Sequence, residues 1–232
     1  MATKWGNMIE SLSKVASEVA KKKSENLCSF NPDSRAELSR SRDVSSSNNP
    51  DTRALVKESG LENATCKIEN GRKCYYDING VLYRIDKDLV PNVSYEIKGY
   101  IYKTDDQGRI SSVSGKLHLK DHQGRLNIED SKSDVGKGDE RETDDRGHVI
   151  GDQFGGAPRL ENLIPQDAKI NQVIYKNLED ELAKQVRNGK DVRIDIKLMY
   201  EGNSRRPEAI VFKYTIDGEK FIKIFPNDRS QL

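Results

Sequence analysis

The chain has 232 residues, 34% hydrophobic and 33% charged, enough for one domain of ordinary size with an appendage. No apolar run approaches the roughly eighteen residues a membrane span requires, which excludes a spanning helix. Lys plus Arg (39) nearly cancels Asp plus Glu (38), so net charge selects neither nucleic acid nor membrane as a partner. The balance is uneven along the chain: acidic residues dominate between Glu129 and Asp145, and basic ones from Ala183 onward, so the C-terminal strands are the expected platform for a polyanion.

In chain order, Trp5, Met8, Ile9, Leu12, Val15, Ala16 and Val19 recur at helical spacing and predict an amphipathic helix within residues 1–28. It lacks the continuous apolar core of a secretory signal, and Glu10 and Glu18 argue against a mitochondrial transit peptide. The expected role is docking or delivery, through its own domain or a partner such as a chaperone, secretion adaptor or inhibitor. Lys21-Lys22-Lys23 keeps membrane-surface binding as the lesser alternative. Residues 29–63, rich in Ser, Asn, Arg and Asp, read as a flexible linker, and residues 64–232 as the folded domain.

From Thr65 the runs TCKI, CYYDI and VLYRI, joined at Asn70-Gly71 and Asn79-Gly80, predict a three-stranded meander. Cys66 and Cys74 flank the first turn. A three-residue loop would set them opposite each other for a disulfide, whereas a two-residue Asn70-Gly71 turn puts them on opposite faces; Cys28 stays free either way. SYEIKGYIYKT alternates as one strand and RISSVSGKLHL returns after Asp106-Gln107-Gly108, giving a sheet with one wet face. Residues 120–143 read as a loop with one edge strand at Arg125–Ile128. Ile170, Ile174, Leu178, Leu182 and Val186 then predict a long helix stopped at Asn188-Gly189, before the strands VRIDIKLMY, EAIVFKYTI and KFIKIF, with a last hairpin at Asp217-Gly218. Strands, a helix and more strands make an α+β domain with an antiparallel sheet.

The chemistry concentrates between Asp144 and Glu179. Asn171, Tyr175 and Glu179 follow the apolar helix positions by one residue and form a parallel stripe on the helix shoulder, with Tyr175 read as packing. Upstream, the strand-like run ending at His148 leads to Gly155-Gly156, a site for a tight turn or close backbone approach. A neutral imidazole there can take a proton from water near neutral pH, with Asp145 or Asp144 as candidates to fix its tautomer. His118 and His122 are read as structural. A magnesium ion keeps several waters, so one amide oxygen from Asn171, with Glu179 nearby, suffices to hold it.

These residues carry a family resemblance. Asp145-Arg146-Gly147-His148, Asn162-Leu163-Ile164-Pro165-Gln166, Asn171 and Glu179 resemble the DNA/RNA non-specific endonuclease family, of ββα-metal (His-Me finger) type, over roughly residues 95–225. The likeness is strongest to the branch containing nuclease toxins exported by bacterial specialised secretion systems. It implies a strand, glycine loop and long helix as the catalytic motif. His148 would be the general base, Asn171 the direct metal ligand and Glu179 the carboxylate binding metal-coordinated water. Asn162 would shape the site, with Arg146 and Asp145 on the motif strand. Implied cofactors are Mg²⁺ or Mn²⁺, and the implied reaction is hydrolysis of DNA and RNA to 5′-phosphate and 3′-hydroxyl ends. Well-known members carry an arginine one helical turn beyond the glutamate; here that position is Ala183, beside Lys184. Lys184, Arg125 and Arg159 are therefore the substrate-binding candidates, and spacing does not choose between Arg125 and Arg109 as the upstream arginine. A free nuclease would attack its own host, so the expectation is export without a classical signal peptide or restraint by an immunity protein. The competing reading, a nucleic-acid-binding or partner-binding module without chemistry, would not need His148 and Asn171 together.

Overall fold

The computed structural model describes residues 65–121, 124 and 126–231. The helix expected within residues 1–28, the linker expected at 29–63, Cys28, His122 and Arg125 lie outside the described residues.

Three antiparallel sheets organise these residues. The first is four-stranded, in the order β1 (Thr65–Glu69), β2 (Arg72–Tyr76), β3 (Leu82–Ile85), β4 (Asp88–Leu89), one short strand more than the predicted meander. Glu69 pairs with Arg72, so the first hairpin turns on Asn70 and Gly71 alone, both with positive φ as a type I′ turn requires. That register pairs Cys66 with Tyr75 and Cys74 with Lys67, and both cysteines are free and buried.

The second sheet has six strands, ordered β12 (Glu219–Pro226), β11 (Ala209–Ile216), β10 (Val192–Met199), β7 (Ile110–Lys116), β6 (Tyr100–Thr104), β5 (Ser94–Ile97). SYEIKGYIYKT is not one strand but a hairpin, β5 to β6, folded at Lys98 (φ 51°) and Gly99 (φ 79°). Alternation continues across that turn and hides it from the pattern. Strand β10 alternates buried and exposed, with Val192, Ile194, Ile196 and Leu198 inward.

The loop expected over residues 120–143 contains a one-turn helix, α1 (Lys132–Gly136), closed by a Ser131–Asp134 capping box; residues 126–128 form no strand. The third sheet is a ribbon, β8 (Asp144–His148) against β9 (Leu163–Asp167). The expected motif of strand, glycine loop and helix therefore acquires a second strand. Pro165 sits within β9, as proline can in a two-stranded ribbon that has free edges.

The chain then enters a π-helical turn, Ile170–Tyr175, continuous with α2 (Lys176–Arg187). Helix α2 ends as predicted: Gly189 has φ 78°, its N–H reaches Val186 O, and Lys190 N–H reaches Gln185 O, the paired bonds of a Schellman cap. The inner face of the six-stranded sheet receives this helix. Tyr175 packs edge-on against Phe212 of β11 and Phe225 of β12, at ring-centroid distances of 5.6 and 5.2 Å.

Candidate active site

A cleft of about 300 Å³ lies between the end of β8, the turn that follows it, and the π turn with the first turn of α2. His148, Gly151, Gln153, Asn171, Lys176 and Glu179 are among its lining residues. His148, Asn171 and Glu179, singled out from the sequence, thus share one cavity.

The turn carrying His148 toward the helix is built around Asn162, which is fully buried. Its Oδ1 accepts from Ile150 N at 2.8 Å and from Tyr102 OH at 3.1 Å, and its Nδ2 donates to Ile150 O and Ala157 O at 2.9 and 3.0 Å. All four bonds go to structure behind the cleft, so Asn162 acts as a clamp on the 149–157 loop. Gly156 closes the same clamp: a Cβ there would fall 1.7 Å from Ile150 O, which is the close backbone approach the glycine pair foretold. Tyr100 OH donates to Phe154 O at 2.9 Å and pins the loop from the sheet.

Asn171 is oriented by β8. Its Nδ2 donates to Asp145 Oδ2 at 3.0 Å, and the same oxygen accepts from Gln172 Nε2 at 2.8 Å. With the amide nitrogen so engaged, the amide oxygen Oδ1 is turned to the opposite side. Asp144, the other candidate for orienting His148, instead makes a buried two-pronged ion pair with Arg206, at 2.7 and 2.8 Å. Both acidic neighbours of the histidine strand are therefore engaged with other residues.

Glu179 enters the cleft over Gly151. A Cβ on Gly151 would sit 2.3 Å from Glu179 Oε1, so the bare glycine makes the space this carboxylate occupies. The next residue, Asp180, takes an ion pair from Lys176 and a hydrogen bond from Gln153 Nε2 at 3.3 Å; the lysine is the leading reason its carboxyl is held below the usual carboxylate range.

The π turn decides which helix residues face the cleft. Fourfold spacing put Ile174 in the buried stripe and Tyr175 on the shoulder with Asn171. In the structure Tyr175 is buried, its hydroxyl donating to Val149 O at 2.8 Å, Ile174 is only partly buried, and Lys176 stands in the cleft with Asn171. Lys176 went unnoticed in the sequence because nothing in its spacing announces the extra residue of a π turn, and Gln153 and Asp180 because only the folded loop brings them together.

Of the remaining expected site residues, Arg146 donates to the carbonyls of Asp130 (2.8 Å) and Ile128 (3.2 Å) and braces the segment before α1. Arg159 pairs with Glu129 at 3.1 Å, and Lys184 is exposed beyond the end of the cleft; neither lines it. Ala183, the position at which the resemblance led to the expectation of an arginine, is fully buried. His118 stacks on Tyr100 at 5.1 Å, the structural role expected of it. Among the described residues no three His, Cys, Asp or Glu side chains gather as a metal cluster, and no helix is long and apolar enough to cross a membrane.

Residues 91–218 match the family model of the DNA/RNA non-specific endonucleases, a stretch containing every residue that lines the cleft. The chain is 37% identical over 145 residues to the type VII secretion system protein EssD of Staphylococcus aureus, a match covering 59% of this chain and 23% of that protein. It is 31% identical over 87 residues to the probable deoxyribonuclease RhsA of Dickeya dadantii, covering 37% of this chain and 6% of that protein. The chain thus spans less than a quarter of the length of these relatives. Among solved structures, NucA from Streptococcus agalactiae with no metal bound aligns with a TM-score of 0.45 and 18% identity, over 79% of this chain and 91% of that one. Through the match to residues 91–218, the chain belongs to the DNA/RNA non-specific endonuclease family.

Proposed function

We propose that the domain is a divalent-metal-dependent endonuclease that hydrolyses phosphodiester bonds of DNA and RNA, leaving 5′-phosphate and 3′-hydroxyl ends. The observation that carries this reading is the meeting of His148, Asn171 and Glu179 in one cleft, with the Asn171 amide turned by Asp145 so that its oxygen is available as a ligand. An amide oxygen and a carboxylate are hard donors, and so few protein ligands suit an ion that keeps most of its waters. Asn171 Oδ1 and Glu179 would hold Mg²⁺ or Mn²⁺. When bound, the ion supplies charge neutralisation at the phosphate and at the departing oxygen. His148 takes a proton as the water oxygen attacks phosphorus, and the bond from phosphorus to the 3′ oxygen breaks, that oxygen taking a proton from solvent to become the 3′-hydroxyl. Gly151 and Asn162 hold the histidine turn and Glu179 in register. Contacts of this kind reach only the backbone phosphate, so little sequence preference is expected. In this reading β8, β9 and the helix that follows are the ββα-metal motif, and residues 64–232 are the nuclease domain.

Similarity to a type VII secretion system protein and to a probable deoxyribonuclease supports an exported antibacterial toxin, restrained in its producer by an immunity protein. An N-terminal element that docks a secretion adaptor or chaperone fits the same picture.

The test is cleavage of plasmid DNA and of RNA by the purified chain, in Mg²⁺ or EDTA, beside His148→Ala. Cleavage of both substrates, abolished by EDTA and reduced at least a hundredfold by the substitution, is expected. Undiminished cleavage in EDTA or in the variant would overturn the mechanism.

A further inference from the structure

We propose that Lys176 grips the substrate phosphate and that Asp180 parks its ammonium group at the cleft until the phosphate arrives. The inference rests on the nuclease reading of the cleft and adds to it the phosphate-binding group.

Among the described residues lining the cleft, Lys176 is the single lysine or arginine. It shares the cleft with three carboxylates, those of Asp152, Glu179 and Asp180, of which Asp152 is already paired with Lys120. A phosphodiester entering so acidic a cavity needs a cation of the protein's own beside any bound metal. The basic residues that the sequence singled out do not meet the need. Arg146 braces backbone carbonyls, Arg159 is paired with Glu129, Ala183 is buried where a clamp could otherwise stand, and Lys184 lies outside the cleft.

The π turn explains how Lys176 serves instead. In an α-helix, five residues separate two side chains by about 140° around the axis. The wider π turn carries the fifth residue back toward the side it started from, and Lys176 follows Asn171 by five. Metal-ligand candidate and cation are thereby set on one wall, while Tyr175 takes the buried place, locked by its bond to Val149 O.

The Lys176–Asp180 pair suits an exchange. Both side chains are about half exposed, at 57% and 50%, so water screens the pair and it is readily opened. Asp180 also holds Gln153 of the histidine turn, so the aspartate retains a partner when the lysine leaves it for phosphate.

The probe is a fluorescein-labelled twelve-nucleotide single-stranded DNA, titrated in Mg²⁺ with the full chain carrying His148→Ala, so that nothing is cut. Adding Lys176→Ala should weaken binding at least tenfold for any base sequence. It should also lower the slope of log affinity against log salt by about 0.7, one phosphate contact on a single strand. Lys176→Arg should bind within threefold of its parent, and Asp180→Asn should bind more tightly. Equal affinity and equal salt slope in Lys176→Ala would overturn the proposal, as would a weakened Asp180→Asn with an unchanged melting temperature. The cleavage assay separates the two readings. If the unmodified chain cuts nucleic acid and Lys176→Ala cuts as well, only this inference fails. If the unmodified chain does not cut, the nuclease reading fails, and the binding titration still decides whether Lys176 grips phosphate.

Discussion

Gly151 lies at φ −60° and ψ 150°, a conformation open to any L residue, so backbone freedom does not account for glycine there. What the position requires is the absence of a Cβ beneath the Glu179 carboxylate. Gly151→Ala should therefore separate stability from activity. The alanine restricts the unfolded chain, worth about 0.4–1 kcal/mol in favour of folding, and the group it displaces is the end of a flexible side chain. Its melting temperature should stay within a few degrees of the parent while metal-dependent cleavage falls at least tenfold; retained cleavage would show that Glu179 has no part in it. Asp145 makes a complementary case, because it orients the Asn171 amide from behind. Asp145→Ala should raise the Mg²⁺ concentration for half-maximal cleavage about 10–100-fold, the usual cost of losing a ligand's supporting hydrogen bond, with much of the rate recovered at saturating metal. An unchanged metal titration would remove Asp145 from that role.

At the scale of elements, the helix from Ile170 shows what periodicity can and cannot deliver. Its existence, its buried side from Leu178 onward and its stop at Gly189 were legible, since each depends on local spacing and on one glycine able to take positive φ. The π turn was not, because a single extra residue leaves the count of apolar positions intact and only rotates them. Deleting Val173, which is 49% exposed and so carries little packing, tests the device. Removing one residue returns this turn to α geometry, in which Asn171 and Lys176 stand four apart, about 40° around the axis, and so stay on one wall. Cleavage and cooperative thermal unfolding should both persist in the deletion variant, as in Val173→Ala; loss of cleavage with cooperative unfolding intact would show that the cleft needs the π turn itself. Strand β9 and the β5–β6 hairpin were hidden for related reasons. Pro165 speaks against a strand that the ribbon tolerates, and Lys98 occupies a positive φ that asparagine or aspartate more often announces. Helix α1 did have a signal in Ser131–Asp134, overlooked beside the polar composition of its surroundings.

Across the whole molecule, ion pairs between distant segments hold the cleft's scaffold, and no local pattern could disclose them. Arg84 of β3 reaches Glu161 at 3.0 Å and Asp130 at 3.5 Å, all three side chains buried, and so joins the four-stranded sheet to the segment bearing Asn162. Near the other end of the ribbon, Asp167 binds Arg229 and Asp228 binds Arg141, each at 2.7–2.9 Å, tying the C-terminal turn to β9 and to the approach to β8. These contacts make a pH prediction. The Arg141 ion pair is the leading reason the Asp228 carboxyl lies well below its usual range. Burial pulls Asp167 upward, but Arg229 and the backbone N–H groups of Ile170 and Lys169 outweigh it and leave it lowered. Asp134, bonded by Ser131 in the α1 cap, is lowered to about 2. A carboxyl with a folded value below its unfolded value of about 4 stabilises the fold above that pH. The contribution is lost as pH falls through the folded value, because the unfolded chain then binds protons more readily. The urea midpoint should thus hold steady near neutrality and decline progressively from about pH 5 toward pH 2. Asp228→Asn should lower the neutral plateau and flatten the decline, since its share is already absent. An Asp228→Asn curve parallel to the parent's through the acid range would show that the Arg141 pair contributes no net stability.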